Sequence, residues 1–332
     1  MANLLKLPSS NDGEALVNLA DWVELSAFFS AKKSASKEDL RIALQRAPSV
    51  DDDAPATRRL SDQTAEAKAS DVFSELHDRV MSCMSEDGTL PSYPFSIDEG
   101  QSIISMVNPD TSGTNLIYLF LLGITISSMG SEVRRRNGHD PTKLFERLCA
   151  DVLRTFWGGA TLHSDVMIFG TASATTAGER KFRANIETLC RHLGEGTGWK
   201  VDACAPGGGD GGLDLVAWRR FRDKRQGALV GFAQCKTGTH WRDHLTELVP
   251  SAFTRDYMQS QLIVDPIRLY MVPSRISRQQ WVGATGRAGL LVDRCRIVQY
   301  ANGVSKKVLQ DCKAWLDSLF ADQTEVMKAM KP

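Results

Sequence analysis

Two short apolar runs constrain what this chain can fold into more than any other feature. Gly207-Gly-Gly-Asp-Gly-Gly-Leu-Asp-Leu-Val-Ala-Trp218 leaves a glycine cluster for a run too short to be a helix, and Leu229-Val-Gly-Phe-Ala-Gln-Cys-Lys236 follows after a polar stretch. Apolar runs of this length bounded by turn residues read as buried strands, with 219–227 as a hairpin-like connection. Side chains alternate faces along a strand, so Gln234 and Lys236 share one face while Ala233 and Cys235 share the other. Pairing of the two strands puts Asp214 within reach of Gln234, with Lys236 beside both.

Polar groups inside apolar strands need partners, because burying one unpaired costs on the order of a few kcal/mol. A shared Mg2+ or Mn2+ ion supplies that partner. Hard divalent ions take oxygen ligands, commonly one or two carboxylates completed by phosphate and water. Asp214 offers a carboxylate and Gln234 a neutral carbonyl oxygen, while the Lys236 ammonium can orient an attacking water and offset charge on phosphate. This set suits metal-dependent hydrolysis of a phosphodiester. With Gln234 in place of a second acid the site holds one negative charge fewer, so a further carboxylate is expected. The plainer alternative makes Asp214 a turn acid, Gln234 an edge group and Lys236 a solvated charge.

These residues resemble the PD-(D/E)xK, or restriction-endonuclease-like, nuclease superfamily, above all its Mrr-like branch, where a glycine-rich Asp-Gly-Gly-x-Asp segment precedes a Gln-x-Lys strand. The resemblance implies that Asp214 is the metal-binding aspartate, Gln234 the variable acid position and Lys236 the lysine. It covers roughly residues 138–302, with 266–273 and 290–300 as later core strands and 278–288 as a helix between them. The fold it implies is α/β, a mixed β-sheet core flanked by helices. Enzymes of this kind commonly serve in bacterial restriction, antiphage defence or DNA repair, which makes double-stranded DNA the expected partner.

Two helices offer the missing acid. Asp140-Pro141 is a helix start, with Asp as N-cap and Pro at the first position, and Gly158-Gly159 a stop. Glu146 flanks the apolar stripe between them. A second helix around 181–193 carries Glu187 in a similar place. The superfamily's helix acid usually precedes the first core strand, which the pattern puts at 199–205 and which favours Glu187. The Leu-Phe-Glu-Arg-Leu run resembles the family's helix signature and favours Glu146. The metal set is accordingly Asp214, Gln234 and Glu146, with Glu187 the other candidate. Asp210, inside the glycine cluster, reads as a loop-holding turn residue, and a phosphate-loop reading fails because no Gly-Lys-Ser/Thr follows.

Lys plus Arg equals Asp plus Glu at 40 each, so any surface for nucleic acid must be local. Arg219, Arg220, Arg222, Lys224 and Arg225 lie between the two strands in sequence and are the candidate nucleic-acid contacts; Arg134 to Arg136 with Lys143 form a second cluster. The seven cysteines show no ligand spacing and read as reduced core residues of a cytoplasmic protein. A Cys190–His192 pair is disfavoured, since residues two apart diverge on a helix. His240 and His244 flank Trp241 as a metal pair or, more simply, a solvent-facing helix start.

The opening residues lack the long apolar core of a secretory signal, and 116–126 is too short to span a bilayer and reads as a buried helix. Residues 1–137 read as a mainly α-helical domain, with helices over 15–30, 36–45, 71–84 and 115–129, serving regulation, protein contact or DNA positioning. Residues 138–332 hold the nuclease-like domain. A homodimer is expected if both strands of a duplex are cut. An RNase on the same core, or a nucleic-acid-binding scaffold that has lost turnover, are the competing readings.

Overall fold

The computed structural model describes residues 5–8, 15–47, 60–83, 93–107, 113–127, 135–159, 164–170, 176–206 and 211–329. The first third starts with α1 (Ala15–Phe29), β1 (Ser34–Ser36) and α2 (Lys37–Arg46). Ser36 caps α2 as the Ser-x-x-acid pattern predicts: its hydroxyl accepts from the Asp39 N–H, and Asp39 accepts from the Ser36 N–H in return. α3 (Asp62–Cys83) begins well before the expected residue 71. β2 (Phe95–Ile97) and β3 (Ile103–Met106) follow, then α4 (Gly113–Ser127). The first three strands form a small antiparallel sheet in the order β1-β3-β2 that the helical reading of this region did not contain. They are only three or four residues long, too short for a period of two to show.

α4 is apolar all round and buried all round, as such helices are; residues 117 to 122 have no exposed surface. It lies against the C-terminal helix α10 (Lys306–Ala329) at Gly123, where a Cβ would stand 3.1–3.3 Å from Leu319, Leu316 and Trp315. The apolar core therefore continues past Asn137, running from α1, α3 and α4 into the second part of the chain.

That second part is a five-stranded sheet with helices on both faces. In chain order it comprises α5 (Pro141–Phe156), β4 (Ser164–Ile168), α6 (Thr176–Leu193), β5 (Leu215–Arg219), β6 (Leu229–Cys235), α7 (Pro250–Tyr257), β7 (Ile267–Met271), α8 (Arg278–Ala288), β8 (Leu290–Val292) and α9 (Arg294–Gln299). The sheet order is β4-β5-β6-β7-β8; β4, β5 and β6 pair antiparallel, and β6, β7 and β8 parallel. Alternation along the strands sorts the layers. Leu215, Ala217, Ala233 and Cys235 face α5 in one cluster, whereas Val216, Trp218, Val230 and Phe232 pack with Phe182, Ile186 and Leu189 of α6 in another.

Two expected strands are corrected. Residues 199–205 are turn and irregular structure apart from a bridge between Trp199 and Met258. The first strand of the sheet is β4, whose Asp165 and exposed Ile168 dilute its apolar pattern. The run 290–300 is a strand only to Val292; there Asp293 caps α9 by accepting from the Arg296 N–H at 3.1 Å, and an N-cap acid outweighs the β-propensity of the valine and isoleucine beyond it.

Candidate functional site

The site forms where the start of β5 meets the end of β6. Leu215 pairs with Ala233, and the Asp214 N–H donates to the Ala233 carbonyl at 3.0 Å. The Asp214 carboxylate accepts from the Cys235 N–H at 2.7 Å, which fixes it between Gln234 and Lys236 along the strand. The Lys236 N–H continues the parallel ladder to the Met271 carbonyl at 3.0 Å. As alternation requires, Gln234 and Lys236 point the same way: Gln234 Nε2 and Lys236 Nζ both donate to Glu247 Oε2, at 2.7 and 2.9 Å. Gln234 is 1% exposed and its Oε1 has no hydrogen-bond partner. Gly212 makes room for this amide; a Cβ there would stand 3.3 Å from Gln234 Nε2.

Glu247 is the residue that motif reasoning missed. Its segment, after β6, has no helical or strand period to give it a direction, and the only pointer to it was the expectation of one more carboxylate. The fold holds the segment firmly: Tyr270 of β7 donates to the Trp241 carbonyl at 2.6 Å, and Trp241, Leu245 and Leu248 are buried. Burial pushes the Glu247 carboxyl up, but hydrogen bonds from Lys236, His244 and Gln234 outweigh it and hold the group below its ordinary range. His244 meets the other oxygen of Glu247 through Nδ1. His240 is instead exposed beside Asp243, so the two histidines do not converge as a metal pair.

Of the two helix acids, Glu146 lies on α5, which covers the Cys235 face of β6, whereas Gln234 and Lys236 share the opposite face with Phe232. Thr142, one turn before it on α5, touches Thr237 through their hydroxyls at 3.2 Å, just beyond Lys236. The Cys149 and Cys235 thiols are pushed up by burial first, and the charges of both Glu146 and Asp214 add to the rise in each, so the two carboxylates flank one thiol pair. Glu187 sits on α6, which packs on the Phe232 face, but it is half-exposed and paired with Arg183 at 3.1 Å, and the thiol its charge reaches is Cys190. The rule that the acid precedes the first strand, applied to β4, selects α5 and hence Glu146.

The basic run is corrected in position. Arg219 pairs with Leu229 at the far end of the β5–β6 hairpin, four residues along the strand from the Leu215–Ala233 pair, or about 13 Å at the usual rise. Arg219, Arg222, Lys224 and Arg225 are exposed there, and Arg220 lies beside Gly194 after α6. Nearness in sequence to both strands placed these residues beside the site, yet a hairpin loop lies opposite the strand ends that carry Asp214 and Lys236. The second cluster is closer: Lys143 is exposed in the first turn of α5, and Arg135 reaches the Asp140 cap at 3.4 Å. Arg136 turns away to Asp322 of α10. Asp210 and Arg134 lie outside the described residues.

Asp214 and Gln234 present oxygen donors of the kind hard cations take, and the Gln234 amide oxygen is buried without a hydrogen-bond partner. Among the described residues no three His, Cys, Asp or Glu side chains are grouped to hold a metal. The cysteines are free thiols and all but Cys204 are buried; Cys190 contacts the Gly198 carbonyl while His192 lies against Trp218, so they form no dyad. No helix among the described residues is long and apolar enough to cross a membrane. No protein-family model, curated protein or solved structure matches the chain.

Proposed function

We propose that this chain is a Mg2+- or Mn2+-dependent nuclease of the restriction-endonuclease-like kind, cutting DNA. The observation that carries the reading is Gln234 Oε1, buried and without a partner in the same strand-end cluster as Asp214 and Lys236. A mixed sheet flanked by helices, with the candidate acid on the helix before its first strand, supports it further. In this reading Asp214 and Gln234, with Glu146 from α5, hold the ion. The ion supplies charge neutralisation at phosphate and acidifies water. Lys236 orients the attacking water, and β6 keeps its ammonium on the same face as Gln234. Lys143 and Arg135, at the α5 start, are candidate positive groups for the DNA backbone.

The test is cleavage of supercoiled plasmid, and of linear single- and double-stranded DNA and RNA, with Mg2+, Mn2+ or EDTA. Metal-dependent cutting that is abolished in both Asp214→Ala and Lys236→Ala is the expected result, and the preferred substrate separates DNase from RNase. One observation favours a second reading, a binding scaffold without turnover: Lys236 is engaged by Glu247 at 2.9 Å. Such a protein binds DNA equally with and without Mg2+ and is indifferent to Lys236→Ala.

A further inference from the structure

We infer that Glu247, in place of Glu146, is the second carboxylate of the cation site, supplying from the segment after β6 the charge that Gln234 lacks on the strand. The inference rests on the metal-dependent nuclease proposed above. A site of one carboxylate and one amide neutralises half as much of a divalent charge as a site of two carboxylates, and hard cations favour the latter. Glu247 Oε2 lies 2.7 Å from Nε2 of the same Gln234 amide whose Oε1 is buried and without a partner. The carboxylate therefore meets the Nε2 end of the same amide that carries the unpartnered oxygen. Buried Leu245 and Leu248 on either side, with the Tyr270 bond to the Trp241 carbonyl, anchor the backbone that carries it.

The partners of Glu247 also fit this role. Lys236 Nζ at 2.9 Å, the Gln234 amide and His244 meet the Glu247 carboxylate and offset its charge. If Glu247 held a cation, its hold on Lys236 would relax, and the ammonium would be available to orient a water. Glu247 is exposed enough, at 42% of its side chain, to change partners without disturbing the core.

The experiment is Mn2+ titration of the full chain, following free Mn2+ by electron paramagnetic resonance, for the wild type, Asp214→Asn, Glu247→Gln, Glu247→Asp and Lys236→Ala. The expected result is loss of binding in Asp214→Asn, weakening by about tenfold or more in Glu247→Gln, partial recovery in Glu247→Asp, and no weakening in Lys236→Ala. Melting temperatures without metal establish that each variant is folded. Wild-type affinity in Glu247→Gln beside abolished binding in Asp214→Asn overturns the role of Glu247 and leaves the nuclease reading standing. Equal weakening in Glu247→Gln and Lys236→Ala also overturns it, since Glu247 then acts only by holding the lysine. A wild type that binds no Mn2+ overturns both.

Discussion

Arg294 holds Asp21 with both ends of its guanidinium, Nη1 to Oδ1 at 2.8 Å and Nη2 to Oδ2 at 2.9 Å, across 273 residues of sequence. Neither side chain is more than 1% exposed. Arg79 of α3 adds a bond to Asp21 Oδ1 at 2.7 Å, so one carboxylate ties α1 to both α3 and α9. Burial pushes the Asp21 carboxyl up, but Arg294 and Arg79 outweigh it and the net direction is down. A lowered acid contributes stability that is present above its unfolded value and is lost as pH falls through the folded one. Asp21→Asn leaves two buried guanidinium groups short of a counter-charge, and about 3–5 kcal/mol of stability is expected to go. Urea unfolding at neutral pH measures this; a loss below about 1 kcal/mol, the scale of an exposed pair, would show that α1 is not fastened to α9 in this way.

Glu24, one turn further along α1, should behave in the opposite sense. Tyr93 and Tyr118 each donate to its Oε1 at 2.8 Å, while its Oε2 has no hydrogen-bond partner. The buried cluster sets Asp21, Glu24, Glu75 and Asp293 against Arg79, Arg275 and Arg294, one acid too many unless a carboxyl carries a proton. Burial pushes Glu24 up, Arg79 opposes this, the charge of Asp21 adds to it, and the net direction is up. With the folded value above the unfolded one, the folded chain binds the extra proton, so stability falls as pH rises from about 4.3 toward the folded value. Glu24→Gln removes that contribution. It is expected to match or exceed wild-type stability at neutral pH and to lose the downward slope. Parallel stability profiles for the two proteins between about pH 4 and pH 8 would mean that Glu24 is ionised in the fold throughout.

What could be read from the sequence follows from how local the physics is. The α5 start, the α2 capping box, the β5–β6 hairpin and the shared face of Gln234 and Lys236 all rest on contacts within a few residues, and each is found as expected. Residues 199–205 and 293–299 misled because apolar content alone does not reveal whether a segment has a strand partner or a capping acid. Glu247 and the Asp21–Arg294 pair depend on contacts between segments far apart in the chain, for which no local period exists. The basic run was read with the right charge and the wrong end of the hairpin, because adjacency in sequence is not adjacency to a strand's other terminus.

Gly231 is a packing requirement within β6. A Cβ there would stand 2.5 Å from Leu269 Cδ1 of β7 and 2.9 Å from the Trp157 ring, on the face covered by α5. Gly231→Ala forces those groups apart, which typically costs about 1–3 kcal/mol. This outweighs the few tenths to about 1 kcal/mol gained when alanine stiffens the unfolded chain. The melting temperature is expected to fall; a rise would show that Leu269 and Trp157 yield without strain.

The placement of positive charge makes a last prediction, for DNA affinity against salt. Removing a cation that neutralises one phosphate should reduce the slope of log K against log salt by about 0.9 on duplex DNA. Lys143 and Arg135 stand at the α5 start beside Thr237, whereas Arg222 and Arg225 are exposed at the far end of the hairpin. On the proposed nuclease function, with DNA running from a phosphate at Asp214 and Lys236 toward the α5 start, Lys143→Gln with Arg135→Gln is expected to flatten the slope and Arg222→Gln with Arg225→Gln to leave it unchanged. Arg135 is partly neutralised by Asp140, so the double change should flatten the slope by more than one neutralised phosphate but less than two. The reverse pattern, with the hairpin variant alone flattening the slope, would place the duplex across the far end of β5 and β6 and away from Lys236.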